Sequence, residues 1–469
     1  MTSMPLNLRH PPPPLTRPER LTAALLALLV ALSRWPAISR TLWDWDEALF
    51  ALAVRHYDVT LHQPHPPGFP LFIALAKALA KLIPLDPFHA LQSVTVVASL
   101  LVFPAMFFLA RELRFPPFGA MAAALLLAFF PNVWLFGGTA LSDVPSLVLA
   151  LAACALLLRG CRDDRALLAG ALLLGIAAGF RPQNLLIGFV PFLLAFLHRR
   201  RTAVAGALLI ALVVLASYGA AASRSGGWHA YRAALTTHES YIRSVDSFLS
   251  PTRPGLIQVA DDFFLRPYRA PILNVVITLL ALAGLRRRRG QPWPALLPLL
   301  LFGPFLLFAW LYLDFHSSSR FSIAYMPLYA LLAANGIPSR ARAVTLGAVV
   351  ALLIVWTWPA LRVVHTTVSP PVAAMEAVRR YDRASTVVYV DERLAAHARL
   401  LIPEYPIRIV RVKPPLVADP RALLVREGES LAPGAQSFIR DDADHLAGIV
   451  RKRYFAVSVM PGRRVSSLP

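Results

Sequence analysis

Apolar residues in this chain come in long uninterrupted runs rather than in the alternation of a strand. The runs are Leu21–Ile38, His89–Ala110, Phe118–Phe136, Val144–Leu158, Ala166–Ala178, Leu185–Leu197, Ala203–Ala222, Pro271–Leu285, Trp293–Leu313, Phe321–Ile337 and Ala343–Leu361. A helix needs about 20 predominantly apolar residues to cross a bilayer, and in lipid a helix satisfies its own backbone polar groups. The runs therefore predict an all-α polytopic membrane protein with about eleven transmembrane helices. One more segment, Gly68–Pro84, is short and carries Lys77 and Lys81 on one helical face. Beyond Leu361 the pattern changes to mixed polar sequence. Strand-like runs lie at Thr386–Val390, Ile407–Val412, Ala422–Arg426 and Phe455–Val459, with helical patterns at Val372–Tyr381, Glu392–Leu401 and near Asp442–Arg451. That alternation predicts a small α/β domain over 362–469.

The arginines set the orientation. Dense clusters at Arg111–Arg114, Arg159–Arg165, His198–Arg201, Arg286–Arg289 and Arg340–Arg342 separate successive runs. If Gly68–Pro84 does not cross, all of them fall on the same side as the N-terminus, as the positive-inside rule requires. If it crosses, all five clusters are inverted relative to the N-terminus. Gly68–Pro84 is thus expected to lie in the outer interface as an amphipathic helix, its lysines toward head groups. Residues 1–20, with the proline run Pro11–Pro14, form a cytoplasmic leader, 21–361 a transmembrane domain, and 362–469 an extracytoplasmic domain. Leu21–Ile38 follows basic residues as a signal peptide does. It lacks a convincing small-residue cleavage site and is read as a retained anchor.

Composition agrees. Of 469 residues 57% are hydrophobic and 16% charged, against about a quarter charged in soluble proteins; mean hydropathy is +0.56. An ordinary soluble enzyme and a disordered regulator are both excluded. The net charge of +21 would suggest nucleic acid on a soluble chain, but arginines clustered between apolar runs are topological signals, so no nucleic-acid partner is expected. The two cysteines, Cys154 and Cys161, offer neither a disulfide framework nor a Cys-based zinc site.

This topology leaves Ser39–Pro67, Gly138–Asp143, Ser223–Ala270 and Asp314–Arg320 on the outer face. The first contains Trp43-Asp44-Trp45-Asp46-Glu47. Asp46 there is either the N-cap of a helix Ala48–Tyr57, with Glu47 in its first turn, or a carboxylate base at the membrane surface. His62 and His65 stand among prolines that fix the loop; they can bind a metal or a phosphate, or be solvated. Ser142 or Asp143 can cap the helix that follows, yet Asp143 shares a face with Asp46. Arg181, at an outer turn otherwise poor in arginine, either snorkels to lipid phosphate or is functional. Arg320 has the same standing, and its fork suits phosphate oxygens. The acids and histidines of Ser223–Ala270 read as a solvated face.

In order and common side, these segments resemble the GT-C superfamily of integral-membrane glycosyltransferases, in the branch of protein O-mannosyltransferases and aminoarabinose transferases. Trp45-Asp46-Glu47-Ala48-Leu49-Phe50-Ala51 is similar to that branch's first-loop signature, and His65-Pro66-Pro67-Gly68 to the start of its interfacial helix. Leu141-Ser142-Asp143-Val144-Pro145 resembles its second acidic motif, and His316 to Leu328 its later His…Arg-Tyr…Pro motif, with Phe321 in place of Tyr. Arg181 stands where related proteins often have Lys.

The resemblance implies a sugar moved from a polyprenyl-phosphate donor to a lipid, glycan or protein acceptor on the outer face of a bacterial inner membrane, with inversion. It implies Asp46 as general base, Asp143 in support with Glu47 nearby, and Arg181, Arg320 and His316 on the donor phosphate. No cofactor is required. A divalent metal held by His65 with Asp46 or Glu47 is compatible with the motif. The rival class is a polytopic transporter or lipid flippase, which would place acids near the midplane and repeat its halves; neither feature is visible.

Overall fold

The computed structural model describes residues 8–268, 270–287, 292–411, 421–440, 446 and 455–462. Its body is helical: α1 (Arg17–Leu32), α2 (Trp45–Arg55), α3 (Pro70–Leu82), α4 (Pro87–Leu100), α5 (Val102–Glu112), α6 (Pro117–Phe129), α7 (Pro131–Phe136), α8 (Asp143–Gly160), α9 (Asp164–Phe180), α10 (Asn184–His198), α11 (Arg200–Arg224), α12 (Trp228–Tyr241), α13 (Leu256–Ala260), α14 (Pro271–Arg287), α15 (Pro292–Tyr312), α16 (Ser318–Phe321), α17 (Met326–Gly336) and α18 (Arg342–Thr366). All eleven apolar runs are helical. Among the described residues, four helices qualify as spans by length and composition: Arg17–Ala37, Asp143–Gly160, Arg200–Arg224 and Ser339–Val378. The α4–α5 pair makes a fifth if its 41° bend lies within one crossing. Pro117–Phe129, Asn184–His198, Pro271–Arg286 and Leu296–Tyr312 are shorter apolar helices among the described residues, and the chain breaks before Pro131, between α6 and α7.

Large apolar side chains stay exposed along α1, α11 and α14, among them Leu25, Leu28, Leu208, Leu212, Leu215, Val275 and Leu279. Helices α14 and α17 touch through glycines. A Cβ on Gly284 would lie 2.0 Å from the Leu332 carbonyl oxygen, and one on Gly336 1.9 Å from that of Leu280. Small residues let helix backbones approach closely in this way.

The arginine clusters at 111–114, 159–165 and 198–201 meet at one end of the bundle. Arg162 pairs with Glu112 at 2.7 Å, Arg199 with Asp164 at 3.1 Å, and Arg111 donates to the Pro13 carbonyl at 2.5 Å. The eighteen residues of α8 run from Asp143 at the other end to Gly160 here, about 27 Å at 1.5 Å per residue. Helix α3 begins at that other end, where Phe69 packs beneath Arg181. Helix α4 also starts there, since Gln92 donates to the Gly138 carbonyl at 2.9 Å. Helices α3 and α4 thus both begin near this end of the bundle.

After α18 come α19 (Pro370–Val378) and α20 (Ala395–Leu401), packed on a five-stranded sheet. Its strands are β1 (Val387–Asp391), β2 (Ile407–Val410), β3 (Ala422–Glu427), β4 (Gln436–Ile439) and β5 (Ala456–Pro461), in the order β2-β1-β3-β5-β4. β1 pairs parallel with β2 and β3, while β5 runs antiparallel to β3 and β4. Val388, Val390, Leu423, Val425, Val457 and Val459 face Met375, Val378 and Ala398. The strand absent from the sequence reading is β4, a four-residue edge with no fully buried position. The helix expected near Asp442–Arg451 lies outside the described residues, Leu446 excepted.

Candidate active site

The first outer loop enters α2 through Asp44, not Asp46. Asp44 is extended (φ −111°, ψ 151°), and its carboxylate accepts from the Asp46 amide at 2.9 Å. Glu47 completes a capping box, its Oε2 accepting from the Asp44 amide at 2.8 Å and the Trp43 amide at 2.6 Å. Because Asp44 caps the helix, the carboxylate of Asp46 is available for other partners. The helix also starts earlier than Ala48–Tyr57.

Oε1 of Glu47 accepts from the Ala140 amide at 2.8 Å, tying the first outer loop to the second. The loops touch so closely that a Cβ on Gly138 would sit 1.7 Å from the Ala37 carbonyl oxygen. Glu47 is 1% exposed, and burial pushes its carboxyl up to about 7 against the pull of these three amides. The structure thus places Glu47 in the scaffold of the two loops, where its oxygens meet backbone amides rather than reacting groups.

The second loop ends at Ser142, the N-cap residue of α8, whose side chain makes no cap bond. Ser142 thus stands at the expected cap position, with its hydroxyl turned to another partner. Ser142 Oγ accepts from Arg181 Nε at 2.9 Å. Asp143 Oδ2 accepts from Arg181 Nη2 and from Arg320 Nε, each at 2.9 Å. Arg320 Nη1 donates to Asp46 Oδ2 at 2.5 Å and lies 3.6 Å from Asp44 Oδ1. Burial alone would lower the affinity of Arg320 for its proton, but Asp143, Asp46 and Asp44 outweigh it and hold the guanidinium charged. For Arg181 burial prevails and lowers the value, with Asp143 opposing. Each guanidinium also faces an aromatic ring: Arg181 that of Phe69 at 5.4 Å, Arg320 that of Phe321 at 5.6 Å.

Asn132, absent from the sequence reading, fixes the Arg320 turn. It is fully buried, and its Nδ2 donates to the Ser319 carbonyl at 2.8 Å and to Ser322 Oγ at 2.9 Å. A polar amide inside the run Phe118–Phe136 was the available signal. His316 is exposed, its ring against Phe315, and the structure does not place it with the guanidiniums.

His65 closes the other side of Asp46. Its Nδ1 lies 3.5 Å from Asp46 Oδ1, buried and without a hydrogen bond. Its ring packs on Phe50 and Phe69, with centroids 5.7 and 4.8 Å away. Burial pushes this imidazole down to about 4, although Asp46 pulls the other way. Helix α12 adds His238, whose ring centroid is 6.0 Å from that of His65 and 6.5 Å from that of His62. Sequence had left His238 among solvated loop residues. With Glu47 committed to amides, Asp46 and His65 supply two donors for a metal. Among the described residues no group of three or more His, Cys, Asp or Glu is placed to hold one.

The C-terminal domain braces the same loop. Trp45 packs on His397 with centroids 6.4 Å apart, Arg55 donates to the Leu400 carbonyl at 2.9 Å, and Ser369 Oγ to the Leu42 carbonyl at 2.6 Å.

Comparison with known proteins points one way. Residues 64–219 match the family described as dolichyl-phosphate-mannose-protein mannosyltransferase. No curated protein matches the chain in sequence. The fold is similar to that of ArnT from Cupriavidus metallidurans bound to undecaprenyl phosphate, with a TM-score of 0.59 at 13% identity, over 95% of this chain and 98% of that one. It is also similar to the oligosaccharyltransferase AglB from Archaeoglobus fulgidus in complex with an inhibitory peptide and a dolichol-phosphate, with a TM-score of 0.53 at 11% identity. That likeness covers 84% of this chain, which spans only 65% of the archaeal protein's length. The chain shares the fold of both.

Proposed function

From the GT-C fold of this chain, we propose that it transfers a sugar from a polyprenyl-phosphate donor to a hydroxyl or amine acceptor. The observation that carries this reading is the buried convergence of Arg181 and Arg320 on Asp143, with Arg320 also bound to Asp46. Asp46 is the general base. It takes the proton of the acceptor while the acceptor's lone pair forms the new bond to the anomeric carbon. The anomeric C–O bond to phosphate breaks, and its electron pair stays on the phosphate oxygen. Positioned base catalysis is worth about 10²–10⁴-fold. The departing phosphate needs positive charge rather than an acid, and Arg320 and Arg181 supply it from fixed positions. A single displacement of this kind, with the acceptor attacking opposite the departing phosphate, inverts the anomeric carbon. Asp143 holds the guanidiniums, and Glu47 and Asn132 hold the loops that present Asp46 and Arg320. His65 lines the acceptor side, and no step is routed through a metal.

In this reading the chain crosses a bacterial inner membrane about eleven times. Its arginine end is cytoplasmic, and the site and C-terminal domain lie outside. The acceptor is a lipid, glycan or protein in that space. Two measurements test the activity. Membranes carrying the chain, supplied with undecaprenyl-phosphate-linked sugars and an envelope extract, should release undecaprenyl phosphate. A deletion strain should accumulate the unused lipid-linked sugar. The absence of both release and accumulation would overturn the proposal.

A further inference from the structure

The guanidiniums that would receive a donor phosphate are already occupied. Arg320 spends Nε on Asp143 and Nη1 on Asp46, with Asp44 3.6 Å away. Arg181 spends Nη2 on Asp143 and Nε on Ser142. Two cations thus face three carboxylates, Asp44, Asp46 and Asp143, an excess of one negative charge in a pocket where Arg320 is 5% and Asp143 5% exposed. An anion added to this arrangement meets net repulsion at low effective dielectric. It is accommodated only by taking the place of a carboxylate.

The three carboxylates differ in what holds them. Asp143 is gripped by both guanidiniums at the start of α8. Asp44 is the cap of α2, bound to the Asp46 amide. The Asp46 carboxylate meets Arg320 through one oxygen and faces His65 Nδ1 at 3.5 Å with the other.

Resting on the donor-site reading above, we infer that Asp46 occupies the donor phosphate's place on Arg320 in the empty enzyme, so that phosphate binding displaces it and thereby releases the base. The resting pair is a latch. While Arg320 holds Asp46, the carboxylate is a poor base because its charge is spent on the guanidinium. A donor phosphate takes over Arg320, and Asp46 turns toward the acceptor side lined by His65. Donor then binds before acceptor, and a site without donor does not deprotonate an acceptor. After transfer Asp46 carries the acceptor's proton and the phosphate monoester holds Arg320. Once that proton is lost, the carboxylate competes for Arg320 again and favours product release.

A ligand that must displace an internal competitor binds more weakly by the fraction of open sites. Removing the competitor should therefore tighten binding, which a plain loss of function does not predict. The probe is undecaprenyl phosphate, titrated into the full chain in nanodiscs of neutral phospholipid. Asp46→Asn keeps the helix cap, which is Asp44, and should bind the probe about tenfold more tightly or better. Glu239→Gln, which removes an exposed acid from the same outer face, controls for general charge and should change affinity little. Arg320→Ala and Arg181→Ala should weaken binding. If the arginine variants weaken binding and Asp46→Asn does not tighten it, or tightens it no more than Glu239→Gln, the latch is overturned and the donor site stands. If the arginine variants bind as the wild type does, the donor site and the latch both fall.

Discussion

Arg181 and Arg320, 139 positions apart in the chain, donate to the same oxygen, Oδ2 of Asp143, each at 2.9 Å. Their fixed separation is what makes a phosphate site conceivable, because two like charges in a buried pocket stay together only around a shared anion. Asp143 is that anion.

Loss of Asp143 should therefore show in stability as well as in activity. Asp143→Ala leaves two buried guanidiniums without their anchor and should cost about 3–5 kcal/mol. Asp143→Asn should cost less, and should lose less transfer activity than Asp46→Asn. Thermal unfolding of purified protein beside a transfer assay checks both.

Asp46→Asn should lower transfer about 10²-fold or more at normal expression. The start of α2 is kept because Asp44 caps it, and Arg320 keeps Asp143 as a partner. A fully active Asn variant would remove the base from the mechanism.

At Arg181 the charge and the fork can be separated. Arg181→Ala should raise the donor KM about tenfold or more, while Arg181→Lys should keep part of the wild-type donor use, because an ammonium reaches Asp143 or the phosphate without the bidentate geometry. Donor titrations at saturating acceptor would show it. Unchanged donor use in the Ala variant would return Arg181 to a snorkelling role.

Glu47→Gln should destabilise the outer loops by about 1–3 kcal/mol, since an amide presents its NH2 to one of the backbone donors and leaves that N–H unsatisfied. Faster proteolysis or hydrogen exchange at Trp43, Asp44 and Ala140 is the readout. Activity should fall with loop order rather than with a pH profile of its own.

The imidazole of His65 predicts an acid-sensitive fold. Burial holds it at about 4 against about 6.5 when exposed. The unfolded chain thus binds the extra proton first. The contribution of the neutral ring is complete above pH 6.5 and is lost as pH falls through about 4. His65→Phe keeps a ring between Phe50 and Phe69 and should flatten that part of the stability curve, measured as melting temperature against pH.

How much of this was legible beforehand differs by level. Long apolar runs, the arginine clusters and the alternating β1, β3 and β5 are local patterns of period and charge, and such patterns specify a bundle of apolar helices joined by basic turns and a small mixed domain. The sequence also put Asp46, Asp143, Arg181 and Arg320 on one face, because parity of crossings is arithmetic on the runs. The tertiary structure decided what these residues do to each other. Arg320 reaches Asp46 across 274 positions and Asp143 across 177, and Asn132 reaches the Arg320 turn across 187. No periodicity encodes such separations. Even the cap was undecided locally, since Asp44 and Asp46 both stand before an apolar helix, and only the reach of Glu47 to Ala140 and of Arg320 to Asp46 assigns one carboxylate to the scaffold and the other to the site. Burial settles such choices, because a carboxylate removed from water is tolerated only where a donor meets it, and which donor meets it is a property of the packed bundle.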